Sequence, residues 1–145
     1  MTANPASPRR LETVNVGSDF SFAKPPVTTM QLVMYAGASG DFNRIHYDHH
    51  FAIESGLGGV IQHGMLTMGF LAQAVTDWAG PKSLVKDVRS RFVSPVKPGD
   101  VVTIKGSVQS KGDDEGDKTC SLSLEGFVED RRVIVGSAIV AFADA

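Results

Sequence analysis

The chain has 145 residues, 42% of them apolar and 21% charged, with a formal net charge of -2. That length suits one domain with a sizeable core and excludes two ordinary ones, and the composition is that of a soluble globular chain, not a disordered one. The near-neutral charge gives no electrostatic reason to expect nucleic acid or an anionic membrane as partner.

The first residues, MTANPASPRRLE, carry two arginines with no apolar run behind them, which is not the pattern of a secretory signal. Residues 1–14, with Pro5, Pro8 and small polar side chains, read as a flexible tail, and residues 15–145 as the single domain. Gly17 to Ala23 suits a short strand that ends at Pro25-Pro26. Thr28 or Thr29 can cap a helix through Ser39, with Leu32, Val33, Tyr35 and Ala36 on its apolar face and Gly37 and Gly40 weakening and stopping it. Asp41 to Asp48 reads as irregular, followed by a helical turn from His49 to Ser55 and a glycine-punctuated loop.

His63 to Ala79 is the clearest helix. Its apolar residues, from Met65 and Leu66 through Phe70 and Leu71 to Val75 and Trp78, lie almost all round the axis, the pattern of a buried helix. At 1.5 Å per residue it spans roughly 25 Å, the width of a small domain. No stretch reaches the ~20 apolar residues that cross a bilayer.

Beyond Gly80-Pro81 the period changes to two. Ser83 to Val93, a run from Val101, a run through Cys120, Leu122 and Leu124, and Val133 to Phe142 read as strands. An acidic turn, Lys111 to Asp117, separates the middle pair. Such alternation predicts an antiparallel sheet with one face buried. The fold class is α+β, a long helix wrapped by an antiparallel sheet. Cys120 is the single cysteine, so no internal disulfide can form, which fits a reducing cytoplasm.

Two segments carry chemistry. Gly40-Asp41-Phe-Asn43-Arg-Ile-His46 places a carboxylate, an amide and an imidazole on one irregular loop, where they can converge. An Asp/His pair can take a proton from water and return one to carbon, which adds water across an activated double bond. His63-Gly64-Met65 opens the long helix, whose first N–H groups lack internal acceptors and carry its positive end. With no side chain to shield the Gly64 N–H, a ligand oxygen can approach it closely, and if that oxygen is a thioester carbonyl it gains stabilisation as negative charge develops.

Gly40-Asp41-x-Asn43-x-x-His46 followed by His63-Gly64-Met65 resembles the MaoC-like, hot-dog-fold (R)-specific enoyl-CoA hydratases and (3R)-hydroxyacyl dehydratases. Phe92-Val-Ser-Pro95-Val96-Lys-Pro98-Gly99-Asp100 is similar to the family's strand and turn after the central helix. The resemblance implies a hot-dog homodimer with the acyl tunnel near the subunit interface, acting on acyl-coenzyme A or acyl-carrier-protein thioesters. It implies Asp41 and His46 as the catalytic pair that activates water, Gly64 as the donor to the carbonyl, Asn43 as the residue that orients the loop, and His63 beside the substrate. It implies no cofactor beyond the coenzyme A or phosphopantetheine of the substrate itself. Thr76-Asp77-Trp78-Ala79-Gly80-Pro81 is similar to a segment of actinobacterial hydratases of steroid side-chain and long-chain acyl metabolism.

The chain departs from the pattern twice. Arg44 stands where many relatives have proline, and Ala72 where some short-chain hydratases have serine. Neither removes an acid–base group, although partial burial of Asp41 is expected, to make it a competent acid.

Blander readings stand beside these. All four histidines (46, 49, 50 and 63) fall within eighteen residues, which raises a metal site, but His49 and His50 are adjacent and would point apart, and no H-E-x-x-H or cysteine pairing accompanies them. No metal is expected; His49 and His50 read as solvent-facing and His63 as bracing the helix entry. Arg44, Lys82, Lys86, Arg89 and Arg91 are candidates for the phosphates of coenzyme A. A hot-dog thioesterase is the alternative enzyme, with Asp77 the sole carboxylate on the long helix. A subunit that completes a partner's hydratase site is the other alternative.

Overall fold

The structure, a computed structural model, describes residues 9–114 and 116–142. Five strands form one antiparallel sheet: β1 (Asp19–Ala23), β2 (Ser83–Phe92), β3 (Val102–Asp114), β4 (Asp117–Val128) and β5 (Arg131–Phe142). Their spatial order is β1-β3-β4-β5-β2. Each expected strand is present. The hairpin turn is tighter than the expected seven residues, because β3 continues to Asp114 and β4 begins at Asp117.

Alternation along β3 and β4 turns Val102, Ile104, Val108, Cys120, Leu122 and Leu124 inward, each at most 1% exposed. Register shifts at Val85/Asp87, Val108/Ser110 and Gly126/Phe127 curve the sheet. Into that curve packs the long helix α3 (Gly64–Ala79), through Thr67, Phe70, Leu71, Ala74, Val75 and Ala79. This is the hot-dog fold, and it matches the expected class.

Helix α1 (Thr29–Ser39) begins where Thr28 Oγ1 accepts from Gln31 N at 3.1 Å and ends on Gly40 in the left-handed region, φ 74°. The short helix α2 (His49–Glu54) is capped by Asp48, whose Oδ1 accepts from Phe51 N.

Two expectations change. Residues 1–8 of the predicted tail lie outside the described residues, but the stretch from Arg9 to Val14 is packed. Val14 is 2% exposed, Leu11 lies against the core, and Arg9 Nε donates to Trp78 O at 2.9 Å. The second concerns α3, which is buried on one side only: Met65, Gly69, Gln73, Thr76 and Asp77 are exposed. One five-stranded sheet is wide enough to cover half of a helix, so an all-round apolar pattern marks surface that this single chain does not cover.

Candidate active site

Local hydrogen bonds explain the shape of the Asp41–His46 loop. Gly40 turns the chain out of α1, and Ser39 Oγ, itself donating to Tyr35 O, accepts from Asp41 N. Asp41 Oδ1 accepts from Asn43 N at 3.2 Å, and Asn43 Oδ1 accepts from Ile45 N at 3.3 Å, capping a 3-10 turn over Arg44–His46. Short polar side chains bonded two residues onward hold such turns. Asn43 thus sits where a loop-orienting residue must. The far side of the turn is tied to the entry of α3: Ile61 N donates to Ile45 O, and His46 Nδ1 donates to Ile61 O at 2.8 Å.

That last bond sets the chemistry of His46. A carbonyl only accepts, so Nδ1 carries a proton, and the tautomer this selects has its lone pair at Nε2. His46 is buried, and Nε2 lies 3.8 Å from Asp41 Oδ2. The gap exceeds a direct hydrogen bond and leaves both groups able to touch one water. Asp41, by contrast, is 52% exposed at its side chain, so the single chain does not supply the burial expected for it.

His63 lies beneath the pair, 1% exposed. Its ring stacks on His46 with centroids 3.7 Å apart, meets Tyr35 edge-on, and donates from Nε2 to Asp41 O at 3.2 Å. Burial holds its pKa below the ordinary histidine value, against the raising effect of the Asp41 carbonyl bond. One side chain therefore contacts both groups of the loop, and its hydrogen bond goes to that loop and not to the helix entry it was expected to brace.

His63 O accepts from Leu66 N and Thr67 N, while the Gly64 N–H finds no acceptor among the described residues. It stands at the positive end of a sixteen-residue helix. Glycine has a second use here: a Cβ at Gly64 would come 3.0 Å from the Phe92 ring, so its absence leaves room for that ring beside the helix tip.

A cavity of about 300 Å³ opens here, bounded by His46 and Gly64 on one side and by Phe92, Pro95 and Val96 on the other. Gln62 and Thr67 also line it, and sequence reasoning missed both. A signal existed: Gln62 stands in an otherwise apolar run, and Thr67 is a buried hydroxyl on an apolar helix. The Ile61 carbonyl, a backbone group, left no signal.

The remaining candidates fall elsewhere. His49 and His50 are exposed. Arg44 pairs with Asp48 at 2.7 Å and Arg89 with Asp87 at 2.9 Å, while Lys82, Lys86 and Arg91 are exposed on or beside β2. Asp77 is exposed on the last turn of α3, thirteen residues and roughly 20 Å from Gly64.

A sheet curved around one long helix, with an Asp/His pair set against that helix's uncapped N-terminus, defines a hot-dog domain of the hydratase and dehydratase type. The chain belongs to the MaoC-like domain family, whose model matches residues 12–125. It is 30% identical over 118 residues to the 3-hydroxybutyryl-CoA dehydratase of Methylorubrum extorquens, an alignment covering 81% of this chain and 74% of that one. It is 33% identical over 82 residues to the 3-oxo-4,17-pregnadiene-20-carboxyl-CoA hydratase beta subunit of Mycobacterium tuberculosis, covering 57% of this chain and 64% of that protein. Among solved structures, the (R)-hydratase of A. caviae involved in PHA biosynthesis superposes with a TM-score of 0.82 at 25% identity, over 91% of this chain and 99% of that one.

Proposed function

We propose that this chain is a hydro-lyase that adds water to 2-enoyl thioesters and, in reverse, dehydrates (3R)-hydroxyacyl thioesters. The observation that carries this reading is the approach of Asp41 Oδ2 and His46 Nε2, 3.8 Å apart, beside a cavity that His46 and the Gly64 N-terminal tip both line. The thioester oxygen accepts from the Gly64 N–H, which stabilises the enolate-like charge that develops during addition. A water held between Asp41 and His46 loses a proton to His46 Nε2 as its oxygen bonds to Cβ. The same proton is then delivered to Cα, so hydroxyl and hydrogen enter from one face and the enzyme is left unchanged.

The test is incubation with crotonyl-CoA, following loss of enoyl absorbance and, separately, release of free thiol. Hydration without thiol release is the expected result. Thiol release alone would favour the thioesterase, a reading weakened by the position of Asp77.

The proposed reaction uses no metal or organic cofactor. Ligand atoms of Asp41, His46 and His63 do lie within 4.8 Å of one another. The two imidazoles, however, are stacked with planes 22° apart, and a metal must lie in the plane of each ring that binds it. Near-parallel stacked rings do not converge on one ion. Activity that survives prolonged dialysis against a chelator is the expected outcome.

We also propose that the working form is a homodimer or larger hot-dog oligomer. Met65 on α3 and Met30, Val33 and Met34 on α1 are between 57% and 72% exposed, more apolar surface than an isolated chain ordinarily leaves in water. Because one relative is named as the beta subunit of a hydratase, assembly with a different chain is the second reading. Turnover by the purified chain alone, with its mass in solution, decides between them. A buried free Cys120 is consistent with a cytoplasmic setting, and among the described residues no helix is long and apolar enough to cross a membrane.

A further inference from the structure

Gln62 and Thr67 form a buried polar pair that the chemistry above does not use. Gln62 is 4% exposed and Thr67 also 4%. The Thr67 hydroxyl donates to His63 O and accepts from Gln62 Nε2 at 2.8 Å. That bond holds the amide and leaves Gln62 Oε1, fully buried, with no donor among the described residues. Both residues line the cavity next to His46 and Gly64, whose other walls are largely apolar, including Ile61, Phe92 and Val96. A buried acceptor without a donor opposes folding, so its natural completion is a donor that arrives with the ligand.

The other buried side-chain polar atom without a partner among the described residues, His63 Nδ1, follows from the bracing of the candidate catalytic loop, since Nε2 of the same ring is bonded to Asp41 O. Gln62 braces nothing comparable through its Oε1.

We infer that Gln62 is a specificity-determining residue whose Oε1 accepts a hydrogen bond from an N–H or O–H group of the bound thioester. This rests on the hydratase reading, which places the thioester oxygen at the Gly64 N–H. Gln62 and Thr67 line the same cavity as Gly64, so the amide faces the space that a thioester held at the Gly64 N–H would fill. Two groups of a thioester can bring a donor into that space. One is the first amide N–H of the cysteamine arm, common to coenzyme A and phosphopantetheine carriers. The other is a hydroxyl on the acyl chain beyond the reacting carbons.

The experiment compares wild type with Gln62→Leu on two substrate pairs. The first pair is the crotonyl thioester of N-acetylcysteamine against the S-butyl thioester, which lacks the amide. The second is 5-hydroxyhex-2-enoyl-CoA against hex-2-enoyl-CoA. In one pair, the donor-bearing member is expected to lose about tenfold in kcat/KM on substitution, the donor-free member little. The pair that responds identifies the source of the donor. The thermal midpoint of Gln62→Leu is expected to be unchanged or raised, because an unpaired buried acceptor has been removed.

Equal effects of the substitution within both pairs would overturn the inference, as would a lowered thermal midpoint with equal loss on all four substrates. If Gln62→Leu is without effect while Asp41→Asn abolishes turnover, the inference fails and the hydratase reading stands. If wild type shows no turnover, the hydratase reading fails, and the same comparisons read as binding affinity still decide the role of Gln62.

Discussion

The two ends of α3 are built in opposite ways. At its C-terminal end Trp78 stacks on Phe20 at 5.1 Å and meets Phe142 edge-on at 6.2 Å. The Arg9 guanidinium lies over the Trp78 ring and donates to its carbonyl, and Gly80 N closes on Thr76 O. Two of the end carbonyls there, those of Thr76 and Trp78, are met from within the chain. At the N-terminal end, among the described residues, the Gly64 N–H has no acceptor and Gln62 Oε1 and His63 Nδ1 are buried without partners, while the cap residue His63 uses its side chain on the Asp41 loop and not on the helix. Satisfied ends hold a fold together. An end with free polar groups facing a cavity is arranged for something that binds.

That contrast can be broken from either side. Trp78→Ala is expected to have the largest effect, about 3–5 kcal/mol of stability, the scale of removing a large packed aromatic. Denaturant unfolding reads it, and kcat at temperatures where the variant is folded should stay within about twofold. A comparable loss of kcat would mean that the two ends are not separate.

Asp41→Asn and His46→Ala should show the reverse. Turnover of crotonyl-CoA is expected to fall about 100-fold or more, equivalent to about 2.7 kcal/mol in the transition state, with circular dichroism close to wild type; the thermal midpoint should hold in Asp41→Asn and drop in His46→Ala, which strips Ile61 O of its donor. Full activity in either variant would remove the mechanism.

Gly64→Ala sharpens the comparison at the tip itself. The added methyl would come 3.0 Å from the Phe92 ring and displace it. A loss of about tenfold in kcat/KM is expected from this shift beside the bound thioester, and Phe92→Ala in the same chain should restore part of it.

The effect of pH is smaller and has a defined sign. Burial keeps His63 neutral more strongly in the folded chain than in the unfolded one, whose value is near 6.5. As pH falls below that value the unfolded chain takes up the proton first, so stability declines towards pH 5 and is unaffected by this group above 7. Thermal midpoints across that range measure it, and His63→Asn should flatten the slope. The smallest expected signal is at Cys120: burial raises its thiol to about 11, so it should stay unreactive to thiol reagents until the chain unfolds.

Much of this could be read without coordinates. The period-two runs after Gly80-Pro81 predicted four strands and the run ending at Pro25-Pro26 the fifth, Thr28 and Gly40 bounded α1, and the glycines, Asn43 and the Asp/His spacing marked the loop as the candidate site. These signals are local, set by propensity, capping and side-chain period, and short-range rules act within a few residues. What lay beyond reach required segments distant in the chain to meet. Phe92 closing over Gly64, Ile61 O fixing the tautomer of His46, and the packing of Arg9 to Val14 join residues 15 to 69 positions apart. The same holds for which face of α3 the sheet covers, since an apolar side chain does not reveal whether its own chain or another will bury it. The amino-acid order by itself determined the elements and named the candidate reacting groups. Only tertiary packing decided the tautomer of His46, the cavity beside His46 and Gly64 and the buried amide on its wall, because hydrogen-bond partners and exposure are properties of neighbours in space.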